Sequence, residues 1–239
     1  MQDVLEASLS QFADVPVQVV CAGRTDAGVH ATAQVVHFDS PVERSTFAWV
    51  RGTNSFLPAT VAARWARLVA PDFHARFSAR GRRYRYLLLN RAHRTGVWHD
   101  KIGWYHHPLD VEAMQAAANL LIGEHDFSAF RAADCQAASP VKVMRQAAIR
   151  RCGDLISFEF EASAFLHHMV RNLVGSLVRI GQGMRPPEWL GELLAAGDRR
   201  LAAPTFAAAG LYLVAVSYPP ELGLPSEEGS AFLPFLTAT

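Results

Sequence analysis

The chain has 239 residues, of which 50% are hydrophobic and 19% are charged, so it can bury a substantial core as one globular unit or two fused halves. Its 23 Lys and Arg residues nearly balance its 22 Asp and Glu residues, which argues against an acidic disordered chain and a highly basic nucleic-acid binder. The balance hides a segregation, because residues 1–186 hold 21 of the basic and 16 of the acidic residues. The remainder of the chain is acidic.

Cysteine usage and hydropathy bear on where the protein works. Cys21, Cys135 and Cys152 form no CxxC motif and cannot all pair within the chain, so a disulfide framework is not expected. No apolar run approaches the roughly 18 to 20 residues of a membrane span, and no secretory leader follows Met1. We therefore expect a soluble protein of the reducing cytoplasm.

Hydrophobic periodicity predicts helices and strands in mixed order. The first part of the chain is predicted to form a helix (4–12), two strands (17–22 and 33–38) that flank a polar loop, a second helix (46–56) and two further strands (61–69 and 82–89). The second part is predicted to form a helix capped by Asp110 (111–121), a hairpin (143–151 with 155–161), two helices (165–180 and 188–196) and a final strand (211–218). This order favours an α+β fold with antiparallel sheet over a doubly wound parallel sheet.

The polar loop 23–31, with the sequence GRTDAGVHA, is the first candidate for chemistry. An Asp in a glycine-bearing loop is most often a turn residue that bonds its own backbone. This loop is longer than a two-residue hairpin requires, and Arg24 is placed to keep Asp26 ionised. An anionic carboxylate in a partly enclosed site suits a nucleophile or a base rather than a general acid.

The segment 73–99 contains seven arginines and no acidic residue. Strand alternation predicts that Tyr84 and Tyr86 share one face with Arg82, while Arg83 and Arg85 point to the other. A basic surface with aromatic rings suits phosphate attraction and base stacking. A solvated strand face with half-buried tyrosines is the alternative interpretation.

The helix predicted over 165–180 carries an apolar stripe that leaves His167, Arg171 and Gly175 on another face. His168 would project about 100 degrees from His167, and the segment holds no HExxH motif, so no metal site is expected. Arg171 is the better functional candidate, although such an arginine is normally only solvated. Together with the aspartate loop and the arginine segment, it suggests chemistry on a nucleic acid.

The loop GRTDAGVHA resembles the signature loop of the TruA family of tRNA pseudouridine synthases. Four other segments resemble family segments in family order, namely FHARFSARGRRYRY (73–86), GEHDFSAFR (123–131), FLHHMVRNLVGSLVRIG (165–181) and GLYLVAVSY (210–218). The resemblance runs from Gln2 to Tyr218 and so covers nearly the whole chain.

This resemblance implies roles for individual residues. Asp26 would be the catalytic nucleophile, with Arg24 as its partner at a flipped-out nucleotide and Arg171 as a further active-site arginine. The substrate-binding residues would be Tyr84, which stacks on the target base, and Arg82, His30 and His168.

The family fold is α+β, with two ferredoxin-like halves and a mixed or antiparallel sheet around a central cleft. It implies an N-terminal half over 1–100, a C-terminal half over 101–218 and a tail over 219–239. Family members have a first strand ahead of the helix near Met1, which this sequence is expected to lack. The family is a homodimer without cofactor or metal, and it makes pseudouridine in the anticodon arm of tRNA, at tRNA positions 38, 39 and 40.

Two chemical paths and two other functions stay open at this point. Asp26 would either attack C1′ of the nucleotide or take a proton from C2′. A non-catalytic RNA-binding or RNA-folding module would keep the basic surface without the isomerisation. A hydrolytic nucleosidase would need a second carboxylate, and the nearest acids in sequence are Asp14 and Asp39.

Overall fold

The structure, a computed structural model, describes residues 1–225. Within them the chain divides into a smaller unit, formed by Met1–Arg24, Gln34–Ala79 and residues 218–225, and a larger unit, formed by Thr25–Ala33 and Arg80–Ser217. The division into ferredoxin-like halves over 1–100 and 101–218 stays a prediction. Residues 226–239, most of the predicted tail, lie outside the described residues.

Five helices and nine strands occur in the described part of the chain. In order they are α1 (Gln2–Ala13), β1 (Val20–Cys21), β2 (His30–Ala31), β3 (Val36–His37), α2 (Thr46–Phe56), β4 (Gly81–Asn90), β5 (Gly103–Tyr105), α3 (Val111–Asn119), β6 (Gly123–Asp126), β7 (Val141–Cys152), β8 (Leu155–Ala162), α4 (Met169–Gly181), α5 (Trp189–Ala196) and β9 (Leu211–Ser217).

The smaller unit packs α1 and α2 with the antiparallel pair formed by β1 and β3. Leu9 and Val19 belong to its buried cluster. The ring of Trp49 on α2 meets Phe12 and Phe38 edge-on, at centroid distances of 5.3 and 5.1 Å. These contacts give the unit a small aromatic core of its own.

The larger unit is built on a seven-stranded sheet in the order β2-β9-β4-β8-β7-β6, with β5 also paired to β4. The pairs β2 with β9 and β4 with β5 are parallel, and the remaining pairs are antiparallel. This mixed sheet with its helices confirms the predicted α+β class.

The core of the larger unit lies between this sheet and helices α3, α4 and α5. Tyr86, Phe158 and Phe160 from the sheet and Leu173 and Leu177 from α4 have no more than traces of exposed surface. Since α4 is buried over most of its circumference, it is a rigid support for the residues at its amino end.

Several predicted elements are confirmed. Helix α2 has the predicted bounds, the Asp110 carboxylate accepts a hydrogen bond from Ala113 N at 3.0 Å as an N-cap should, and β7 and β8 form the predicted hairpin. None of the helices within residues 1–225 is long and apolar enough to cross a bilayer. Within residues 1–225, none of Cys21, Cys135 and Cys152 forms a disulfide bond.

Two predicted elements are wrong or displaced. The strand predicted over 61–69 is irregular chain. Leu68 is 90% exposed, so the alternation of apolar residues in this segment does not mark a buried strand face. The helix predicted from residue 165 begins at Met169. His167 and His168 therefore precede the helix and do not lie on one of its faces.

Candidate active site

Asp26 lies in the loop that leads into the larger unit's sheet. Its carbonyl oxygen accepts a hydrogen bond from Val29 N at 3.0 Å, which closes a turn in which Gly28 has a φ of 80°. Glycine adopts this left-handed conformation without the penalty that a side chain would impose. The loop is then fixed by β2, which pairs with β9 at Tyr212 and Leu213.

The carboxylate of Asp26 is surrounded by three nitrogen-bearing side chains. Arg171 Nη1 donates to Oδ2 at 2.7 Å, and His168 Nε2 lies 3.3 Å from the same oxygen. His167 Nε2 lies 3.0 Å from Oδ1. The Asp26 side chain keeps 20% of its surface exposed, so the group is accessible to a substrate although both oxygens have partners.

Arg171 is held from two directions in the first turn of α4. Its Nε donates to the carbonyl oxygen of Phe206 at 2.8 Å, and Phe206 N donates to the Arg171 carbonyl oxygen at 3.2 Å. Because a guanidinium is planar and offers donors in fixed directions, these contacts aim Nη1 at Asp26.

His168 occupies the N-cap position of α4 with a φ of 62°, in the left-handed region. A non-glycine residue rarely adopts this conformation, and such residues concentrate at functional sites. The imidazole rings of His167 and His168 lie 4.0 Å apart between centroids. Burial is the main cause that lowers the pKa of His168, with the positive charges of His167 and Arg171 acting in the same direction and Asp26 opposing them.

Asp134 completes the cluster and was not anticipated from the sequence. Its Oδ1 lies 2.9 Å from His167 Nδ1, and this hydrogen bond is the main cause that lowers the pKa of Asp134. His167 thus lies between two carboxylates. No local pattern links Asp134 to the loop of Asp26, because the folded chain alone brings them to one imidazole.

The same cluster has the composition of a metal site. The ligand atoms of Asp26, His167 and His168 all lie within 4.8 Å of one another, a spacing that would allow them to bind one ion. Arg171 already supplies a positive charge to Oδ2 of Asp26, so hydrogen bonding and ion pairing account for the cluster. The expectation that no metal or cofactor takes part stays a prediction.

The other predicted site residues are more dispersed. Arg24 is exposed and belongs to the smaller unit, and the cation paired with Asp26 is Arg171. His30 stacks on Tyr212 at 4.8 Å between ring centroids, and its Nε2 lies 2.8 Å from the Asp100 carbonyl oxygen.

Tyr84 and Arg82 share the inner face of β4, as strand alternation predicts. Tyr84 is 8% exposed, and its ring meets Phe165 edge-on at 5.0 Å. Arg82 is 9% exposed, and its Nη1 donates to Ser163 O at 3.3 Å. Phe165 lies two residues before His167, so Tyr84 packs beneath the segment that carries the histidines.

The seven-arginine segment is less basic in the folded protein than in the sequence. Arg83 donates to Glu161 through Nε and Nη2 at 2.9 and 2.7 Å, and Arg85 donates to Glu159 in the same way at 3.0 and 2.6 Å. The acids come from β8, the antiparallel neighbour of β4. The prediction that Arg83 and Arg85 share the outer face is confirmed, but their charges are largely balanced there.

Comparison with known proteins adds to this geometry. A family model described as tRNA pseudouridine synthase matches residues 117–219. A tRNA pseudouridine synthase A of Dechloromonas aromatica is 65% identical over 225 residues, which are 94% of this chain and 86% of the relative. Proteins with the same name from Methylibium petroleiphilum and Thiobacillus denitrificans are 60% and 57% identical, over 94% and 98% of this chain and 86% and 90% of their own lengths.

A carboxylate held by an arginine at the amino end of a buried helix, on a mixed α+β scaffold, has the geometry that nucleophilic or acid–base chemistry requires. Because these relatives are 57–65% identical over most of their own lengths and most of this chain, the chain belongs to the tRNA pseudouridine synthase family. The resemblance seen in the motifs is confirmed.

Proposed function

We propose that the chain converts uridine to pseudouridine in tRNA, with Asp26 as the nucleophile on a flipped-out nucleotide. The observation that carries this proposal is the Asp26 carboxylate, which is partly exposed and held by Arg171 and His167. The relatives at 54–65% identity, all named tRNA pseudouridine synthase A, support the same reaction.

The chemistry requires one carboxylate and no external reagent. The bond between C1′ and N1 breaks, a bond between C1′ and C5 forms, and the C5 proton is released while N1 gains one. Uracil leaves with the bonding electrons as a resonance-stabilised anion, so the second carboxylate that a glycosidase uses to protonate its leaving group is not needed. Asp26 acts either by attack at C1′ or by removal of a proton from C2′.

Positive charge at the site supports this scheme. Arg171 is 16% exposed, and a charge screened so little from the reacting groups stabilises a developing anion more than an exposed charge would. Extrusion of the nucleotide from a stacked helix costs a few kcal/mol, which contacts to the base and phosphates must offset.

We propose that the remaining predicted residues contact the substrate. Arg24 is exposed, which suits contact with an extruded nucleotide. Tyr84 offers only 8% of its surface, so a base would stack on a small part of its ring. Arg82, His30 and His168 are proposed as substrate-binding residues, and of these His168 lies directly at Asp26.

We also infer from the family resemblance that the protein acts in the cytoplasm as a homodimer, without cofactor or metal. On the same basis the substrate is the anticodon arm of tRNA, and the products are pseudouridines at tRNA positions 38, 39 and 40. Sedimentation of the purified protein tests the dimer, and mapping of pseudouridine in tRNA tests the positions.

The experiment that tests the reaction is tritium release from an anticodon-arm RNA that carries 5-tritiated uridine. The protein should release tritium, because C5 exchanges its hydrogen for the bond to C1′. Asp26→Asn, which keeps the size of the side chain, should release none within the time that the unchanged protein needs for complete turnover. Asp154→Asn, in the turn between β7 and β8, is the matched control and should react at the normal rate.

Other outcomes separate the alternatives. RNA binding without tritium release by the unchanged protein would indicate a non-catalytic binding or folding module. Release of free uracil would indicate a hydrolytic nucleosidase. Full activity of Asp26→Asn would refute the assignment of the nucleophile.

A further inference from the structure

His167 lies between two carboxylates, and only one of them has a role in the proposed function. Its Nε2 is 3.0 Å from Asp26 Oδ1, and its Nδ1 is 2.9 Å from Asp134 Oδ1. An ionised carboxylate can only accept hydrogen bonds. Both ring nitrogens therefore donate when both carboxylates are ionised, and the imidazole links the two groups.

The loop 131–137 also holds the backbone of His167. Ala132 N donates to the His167 carbonyl oxygen at 3.1 Å, and His167 N donates to Cys135 Sγ at 3.4 Å. Arg131 Nη2 closes the loop by donating to the carbonyl oxygens of Cys135 and Ala137 at 2.6 and 3.0 Å. One loop thus contacts His167 at its amide, its carbonyl and its ring.

Burial does not account for this arrangement. The Asp134 side chain is 72% exposed and that of His167 is 37% exposed, so neither packs into the core. An exposed ion pair contributes little to stability. The specific consequence of the contact is the orientation of the imidazole that faces Asp26.

Asp26 needs such a partner for geometric reasons. The terminal torsion of an aspartate side chain has broad minima, so a carboxylate held only at Oδ2, where Arg171 and His168 lie, can still rotate. A second donor at Oδ1, itself fixed by a loop, restricts that rotation. Orientation of a reacting group within a fraction of an ångström strongly affects the rate of its reaction.

We propose, on the basis of the proposed function, that His167 is a positioning residue that orients the Asp26 carboxylate, and that Asp134 and the loop 131–137 act through it. Neither residue has to contact the RNA for this role. Loss of the link should slow the chemical step and leave RNA affinity nearly unchanged.

The test uses single-turnover tritium release with saturating protein, together with filter binding of the same RNA. Asp134→Ala should slow release about tenfold to a hundredfold, with an RNA dissociation constant within about twofold of normal. Asp134→Asn keeps an oxygen that can accept from His167 Nδ1 and should recover most of the rate. Glu124→Ala removes a carboxylate of the same charge from β6 and is the matched control, with a normal rate.

A double-mutant cycle separates this role from a general effect on folding. His167→Gln keeps an amide that can donate toward Asp26 but lacks the second nitrogen that faces Asp134. Asp134→Ala should therefore slow the unchanged protein and have no further effect in the His167→Gln background. A structural defect caused by Asp134→Ala would instead lower the rate equally in both backgrounds.

Three results would overturn the inference. The first is a rate for Asp134→Ala within twofold of normal. The second is equal loss in both backgrounds, and the third is a loss of RNA affinity as large as the loss of rate, which would make Asp134 a binding residue. If the unchanged protein released no tritium, the proposed function would fail first and this inference would fail with it.

Discussion

Arg171 contacts Asp26 with Nη1 and the Phe206 carbonyl oxygen with Nε. A lysine has one nitrogen at the end of a flexible chain and cannot make both contacts in the same geometry. On the proposed function, the direction of this guanidinium, set by the segment that carries Phe206, should therefore matter as much as its charge.

We expect Arg171→Lys to slow single-turnover tritium release at least about tenfold, since a misplaced group near the reaction centre has an effect of this size or larger. The Phe206 carbonyl oxygen would lose its donor, at a cost of about 1 kcal/mol in stability. Arg179→Lys, two turns farther along α4, is the matched control and should keep the normal rate. A normal rate for Arg171→Lys would show that charge alone suffices.

The contents of this cluster could be predicted only in part. The glycine-bearing loop points to Asp26 and the face opposite an apolar stripe points to Arg171, and the family resemblance then implies their roles. The sequence pattern places His167 on a helix, whereas the helix begins two residues beyond it, at Met169. No pattern in the sequence points to Asp134. Partners of Asp26 lie 141 and 145 residues away, and no periodicity in the sequence links positions at such distances.

Helix α4 supports this site, and its close contact with the following chain depends on Gly175. A Cβ at this position would collide with the carbonyl oxygen of Pro204. The contact lies one turn beyond Arg171, beside the segment that leads to Phe206. Gly175 therefore allows the chain that orients Arg171 to lie directly against the helix.

In Gly175→Ala the collision should cost about 1–3 kcal/mol, because it is with backbone and has to be relieved by displacement. Alanine gains roughly 1 kcal/mol over glycine in a helix interior, so the free energy of unfolding should fall by up to about 2 kcal/mol. Urea denaturation measures it, and tritium release should fall as Phe206 moves.

Gly191→Ala in α5 provides the contrast. A Cβ there would lie 3.6 Å from Leu120 Cδ1, an ordinary van der Waals distance, so this variant should be more stable by up to about 1 kcal/mol. If both substitutions stabilised the protein equally, the close approach at Gly175 would not restrict side-chain size.

The predicted elements differ in how far sequence alone determines them. Helix α3 carries its own N-cap, Asp110, and the hairpin of β7 and β8 is local in sequence, so sequence alone predicts these elements. The short strands β2, β5 and β6 have two to four residues, too few for a periodic pattern. Each of them is a strand because a longer strand provides its partner, namely β9 for β2, β4 for β5 and β7 for β6.

The charge of the protein has to be counted after folding rather than along the chain. Seven arginines without an acid in sequence suggested one basic surface, but Glu159 and Glu161 on β8 pair with Arg85 and Arg83. The number of phosphates that the protein can neutralise is therefore smaller than the arginine count.

RNA affinity should still fall steeply with salt despite the net charge of +1, since the logarithm of the binding constant declines in proportion to the number of phosphates neutralised. Removal of one balanced pair, in the double variant Arg85→Ala with Glu159→Ala, should leave that slope unchanged. RNA binding at several salt concentrations measures the slope for the unchanged protein and for the double variant. A slope reduced by about one would show that Arg85 contacts phosphate, and a flat response of the unchanged protein would argue against an electrostatic RNA surface.

The parallel pairing of β2 with β9 determines when the loop of Asp26 becomes anchored during synthesis. The loop of Asp26 is made before the strand that anchors it at Tyr212 and Leu213. Long-range pairing of this kind forms only after both partners are available. A chain in which β9 has not yet been translated thus carries its aspartate on an unanchored loop, and the site is assembled only after β9 has been made.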